Sequence, residues 1–157
     1  MAKPSGVLAL RRMVLGTAIS VIVQAGIGMD VNLFVAIPSH HSGAQPADFF
    51  TGSLSSLLWA ITHGGLALAV HTLLGIVLIV MVIAVVVRAA RLRRRASTIW
   101  SALGACLVVA AGFNGASFLD FHLDLNSLLM ALFAFASVIC YLALLESLST
   151  SVESSTR

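Results

Sequence analysis

The residues able to do chemistry gather at a few points of the sequence. All five histidines, His40, His41, His63, His71 and His122, belong to its middle part, as do four of the six acidic residues, Asp30, Asp48, Asp120 and Asp124. The densest stretch is Gly112–Asp124, GFNGASFLDFHLD, which closes a long apolar run. Three chemistries are open to these side chains. His63, His71 and His122 could supply axial ligands to a b-type haem. The alternation Asp120-x-His122-x-Asp124, with His40, His41 and His63, could hold a divalent ion. Intramembrane Asp and His could mark a proton or solute path. No nucleophile–base pair, phosphate loop or pair of catalytic carboxylates stands out, so the chain reads as non-enzymatic. Cys106 and Cys140 both lie in apolar runs, with neither a disulfide framework nor a CxxC spacing.

The elements that position these residues follow from composition. The 157-residue chain is 59% hydrophobic and 10% charged, with a mean hydropathy of +1.05. A soluble domain carries about 25% charged residues. This chain cannot cover a water-facing surface, and its solvent must be the lipid bilayer. The net charge of +3 does not indicate nucleic acid, because the cations flank apolar runs instead of lining one face.

A membrane helix needs roughly 20 mostly apolar residues. Four segments qualify: Met13–Ala36, a crossing within Leu54–Val87, Ser97–Leu119 and Leu125–Leu145. The second run would reach roughly 50 Å as one helix, too long for a perpendicular crossing. Its more polar front, SLSSLLWAITHGG, therefore reads as an outer extension that starts near Ala47, with the crossing from about Gly64 to Arg88. The expected fold is an all-α membrane protein, an antiparallel up-down four-helix transmembrane bundle with an outer extension of the second helix. Residues 1–12 form an N-terminal segment, 13–146 the bundle and 147–157 a flexible tail. Gly26-x-Gly28 falls inside a span and carries no dinucleotide signal.

Lys3, Arg11 and Arg12 precede the first span, and Arg88, Arg91, Arg93, Arg94 and Arg95 lie between the second and third. The positive-inside rule makes these places, and with them both termini, cytoplasmic. The expectation is a multi-pass plasma-membrane protein. Counted at about 1.5 Å per residue from these arginines, and on the fourth span from Glu146, Asp30, His71, Asn114 and Asn126 all fall roughly 25–30 Å above the inner surface. They are expected to form one hydrogen-bonded polar layer, with His71 bonded to Asp30. His63 and His122 count to roughly 37–40 Å, at or above the outer headgroups. Asp120, His122 and Asp124 then read as a solvated turn.

Two functional readings come out of this. One is a small membrane protein with a structural or accessory role, in contact with the bilayer and with a membrane-protein partner or further copies of itself. It draws on small-xxx-small faces such as Ala111–Gly115 and Gly112–Ala116 and on the arginine-rich loop. The alternative is a b-type haem protein using the outer histidines. With no acidic or histidine chain below the polar layer, and Gln24 the main polar residue at mid-depth, no continuous transport path is visible.

WAITHG (Trp59–Gly64), a second span containing His71, and GFNGASFLDF (Gly112–Phe121) together resemble a set of small four-span membrane proteins of actinobacteria. The likeness covers about Asp30 to Leu145 and implies membrane residence, without an activity. In architecture the chain also resembles one half of haem A synthase, a four-helix bundle with haem-ligand histidines near the outer ends of its second and fourth helices. That resemblance implies His63 or His71, with His122, as ligands. This chain departs from its acidic–His–Arg signature, because His63 is followed by Gly64 and His71 by Thr72, and it has no cysteine pair in the outer loop.

Overall fold

The computed structural model describes residues 4–153, and these form five helices: α1 (Pro4–Phe34), α2 (Phe49–His63), α3 (Gly65–Arg91), α4 (Arg95–Phe121) and α5 (Asp124–Glu153). Four of them, α1, α3, α4 and α5, are long and apolar enough to cross a membrane. α1 packs on α3 and α5, and α4 packs on the same two, so the spans form a ring in up-down order. The connections are short enough to enforce this. Only Leu92–Arg94 separates α3 from α4, and the turn closes with Leu92 N–H donating to Ala89 and Arg93 N–H to Ala90.

The chain ends each helix by local means. α2 begins at Asp48, whose carboxylate accepts the Thr51 backbone N–H at 2.8 Å, a side-chain N-cap. α4 ends at His122 in the left-handed conformation (φ 56°), its N–H donating to Phe118. Between α2 and α3 the chain turns at Gly64 and Gly65. Gly65 sits at φ +78° with nothing within 4 Å of an added Cβ, a conformation only glycine adopts at no cost. The expected extension ahead of the second span is thus present, as a separate helix packed on α3 and α4.

The half of the bundle nearer the α3–α4 turn is a continuous apolar core. Leu10, Val14 and Val21 on α1 meet Leu78, Val82, Val85 and Ala89 on α3, Val108 on α4, and Tyr141, Leu144 and Leu148 on α5. The spacings of four and three residues along α1 and α3 are those of a coiled-coil seam. Large apolar residues on the opposite faces point outward, with Val80 64% and Ile139 66% exposed. In water such faces would be untenable, whereas lipid tails accept them. Lipid also removes the hydrophobic drive between helices, leaving dispersion and close backbone approach to hold them. Gly104 provides one such approach: a Cβ there would stand 2.8 Å from the Tyr141 ring.

Two boundaries differ from expectation. α1 begins at Pro4, so residues 4–12 are helical, with proline in a first turn that needs no N–H. α5 continues through Glu153, so the expected tail is helical to that point, and residues 154–157 lie outside the described residues.

Candidate functional site: a cavity beneath a folded cap

The loop between α1 and α2 folds back over the C-terminal end of α4. Gln45, at φ 49°, donates its N–H to the Asp120 carbonyl at 2.9 Å. The Ser53 hydroxyl donates to Asp120 Oδ2 at 2.6 Å. The His41 ring lies flat on Trp59 at 4.3 Å, with its Nε2 3.1 Å from the Leu119 carbonyl and its Nδ1 3.0 Å from that of Ser42. Gly43 permits this fold: at φ +97°, a Cβ would collide with Ser56 and the Gly52 carbonyl.

Asp120 is completely buried. The expectation of a solvated turn across Asp120, His122 and Asp124 is therefore wrong at its first residue. Asp120 lies in the last turn of α4, which the α1–α2 loop covers, and of the three only Asp124, at the start of α5, is exposed. His122 is half-buried beside His41, ring centres 5.9 Å apart. His63 is exposed at the end of α2, its Nδ1 2.7 Å from the Thr62 hydroxyl. Among the described residues no three His, Cys, Asp or Glu side chains converge as a metal site. The cap bonds also account for the lowered pKa of Asp48, which the Thr51 N–H holds below the ordinary carboxylate value.

Beneath this cap lies a cavity of about 790 Å³. All four spans and α2 contribute to its wall, which is mostly Val, Leu, Ile, Ala, Gly and Phe, with no Lys or Arg. Its volume is in the range of about 300–1,000 Å³ that encloses a whole small ligand. Glycines keep it open. A Cβ on Gly112 would reach only Ile79, at 3.9 Å.

One polar pair marks the wall. Gln24 on α1 donates from Nε2 to the His71 carbonyl on α3 at 2.9 Å, and the same nitrogen lies 3.4 Å from His71 Nε2. Gly28 packs against the ring, where a Cβ would be 2.7 Å from Cε1. Gln24 Oε1 and His71 Nδ1 are buried without a hydrogen-bond partner in the protein. A second link, Ser127 to Asn32 at 3.2 Å, joins α5 to α1 nearer the mouth.

The expected polar layer is only partly realised. His71 faces inward, and its partner is Gln24. Asp30 is exposed, two residues on from inward-facing Gly28 and so on the far side of the helix. Asn114 bonds Ala110 of its own helix at 2.8 Å. No hydrogen bond joins Asp30, His71, Asn114 and Asn126 to one another. Of the three proposed ligand histidines, His71 lines the cavity and His63 and His122 do not. Sequence reasoning passed over Gln24, although it noted it as the mid-depth polar residue. The glycines at 28, 75, 112 and 115, one or more on each of three spans, were the signal for the cavity.

No protein-family model matches this chain, and no curated protein or solved structure was found to be similar to it.

Proposed function

We propose that this is a non-enzymatic accessory protein of the plasma membrane that holds a membrane-resident hydrophobic molecule in the outer half of its bundle. The observation that carries this reading is the cavity of about 790 Å³ between the spans, mostly apolar, with the Gln24–His71 pair on its wall. The cavity is half open, with lining residues such as Met29, Leu54 and Phe135 exposed, and an occupant supplies the dispersion contacts that its wall lacks. The inner core is continuous, which favours holding a molecule over conducting one.

In the proposed topology the arginines at 88–95 and both termini are cytoplasmic and the cap faces outward. Ser39→Cys should then react with an impermeant maleimide in intact cells and Arg93→Cys should not. The binding reading is tested by delipidation. Stripping the purified protein should lower its melting midpoint by several degrees, since ligand binding stabilises by mass action, and returning the extracted lipophile should restore it. An unchanged midpoint would count against the reading.

A second reading, a b-type haem, has one observation in its favour. His71 and Met130 both line this cavity from facing helices, and a His/Met pair is an established haem ligation. A Soret band in protein expressed with haem precursor would favour it, and a featureless spectrum would leave the lipophile reading alone.

A further inference from the structure

Resting on the proposed role as a lipophile-binding protein, we infer that the occupant is an uncharged lipid of the prenylated quinone or quinol class. Its ring sits at the Gln24–His71 pair, and its tail leaves between α2 and α5 into the outer leaflet.

The charge of the wall sets the class. Without Lys or Arg, the lining offers nothing to balance a phosphate or carboxylate head. Its single ionisable acid, Asp124, would repel one. Burying an unpaired charge in such an apolar interior is strongly unfavourable. A neutral head meets no such penalty.

The polar pair sets the functional group. The Gln24 amide has two N–H groups. One is satisfied by the His71 carbonyl at 2.9 Å, and the other faces His71 Nε2 across 3.4 Å, a long contact that a carbonyl oxygen would improve. Gln24 Oε1 and His71 Nδ1 add one certain acceptor and one ring nitrogen, both without partners. A quinol hydroxyl, which accepts and donates, relieves both deficits, and a quinone carbonyl relieves the donor side alone; a pure hydrocarbon relieves neither.

The aromatic residues set the shape. Phe49 and Phe113 stack at 5.3 Å and 17°, with Phe50 edge-on to Phe113 at 6.2 Å, and all three line the cavity. Counted from the α3–α4 turn, His71 and Phe113 stand at about 30 Å and about 27 Å, the same level within a turn. A flat ring held by the polar pair therefore meets flat aromatic faces, a favoured arrangement. Its exit is also visible. α2 makes no close contact with α5, and on that side Phe50 and Leu54, 73% and 70% exposed, line the cavity and continue it towards lipid.

The full chain in phosphatidylcholine nanodiscs tests this, with a decyl-tailed benzoquinone as probe. Trp100→Phe leaves Trp59, beside the cavity, as the single tryptophan reporter. Quenching of Trp59 should saturate, and the half-saturating quinone should rise at least tenfold in Gly112→Leu and, from the opposite wall, in Gln24→Leu. Gly26→Leu, on an exposed face with open space around it, should match the parent and controls for folding. Phosphatidic acid should not compete. Quenching that stays linear and ignores both cavity variants overturns the inference, as does equal displacement by phosphatidic acid. A protein that retains a charged phospholipid and ignores the quinone keeps the proposed role and loses the ligand class. One that retains no lipophile loses both.

Discussion

Ser53 on α2 donates a 2.6 Å hydrogen bond to Asp120 on α4, whose carboxylate is wholly buried. The cap is fastened to the bundle at this point, 67 residues apart in sequence. Ser53→Ala removes the side-chain partner of that carboxylate and should lower stability by about 1.5–3 kcal/mol, the range for hydrogen bonds to charged groups. Chemical denaturation in micelles measures it. Asp120→Asn keeps an acceptor and should cost less than Ser53→Ala. A larger loss in Asp120→Asn would contradict this account of the cap.

Gly43 should tolerate no side chain. Its φ of +97° and the crowding by Ser56 and Gly52 predict that Gly43→Ala loosens the cap, by about 1–3 kcal/mol for backbone strain of this kind. Gly16, with nothing within 4 Å, provides the contrast: Gly16→Ala should be neutral or gain about 0.5–1 kcal/mol. Limited proteolysis of the 35–48 loop distinguishes them, with faster cutting only in Gly43→Ala.

The α2 N-cap should be acid-sensitive. Asp48 has its pKa lowered by the Thr51 N–H, so its contribution is complete above the ordinary carboxylate value of about 3.9. It is lost as pH falls through the depressed value. Trp59 fluorescence, followed downward from about pH 4, should report α2 fraying there. Asp48→Asn keeps the cap and should remove this component of the pH response, whereas Asp48→Ala should loosen α2 at every pH.

Tyr141 is buried with its hydroxyl unpartnered. Tyr141→Phe should therefore leave stability unchanged or raise it, while Tyr141→Ala should cost about 3–5 kcal/mol, as for other large aromatic deletions. Thermal midpoints in one detergent decide this.

Much of the architecture was legible in the sequence. Four apolar runs punctuated by arginine gave four spans, and Pro46-Ala47-Asp48 placed the start of α2 within two residues. Depth was legible too, since counting from the arginines put His71 in the half of the bundle away from the α3–α4 turn, where it lies. Rotational phase was not. α1 and α5 are apolar on every side, so no stripe told which residues face inward, and Asp30 was taken as the partner of His71 in place of Gln24. Burial of Asp120 was equally hidden. It depends on Gln45 and Ser53 arriving from a loop and helix far away in sequence, and a charged residue at a span's end ordinarily meets water.

The direct test of the central claim is native mass spectrometry of protein released from its own membranes, wild type beside Gly112→Leu. The account predicts that wild type carries one tightly held neutral lipophile and that the variant, its cavity filled, is bare. Bare wild-type protein, or identical adducts on both, would contradict it.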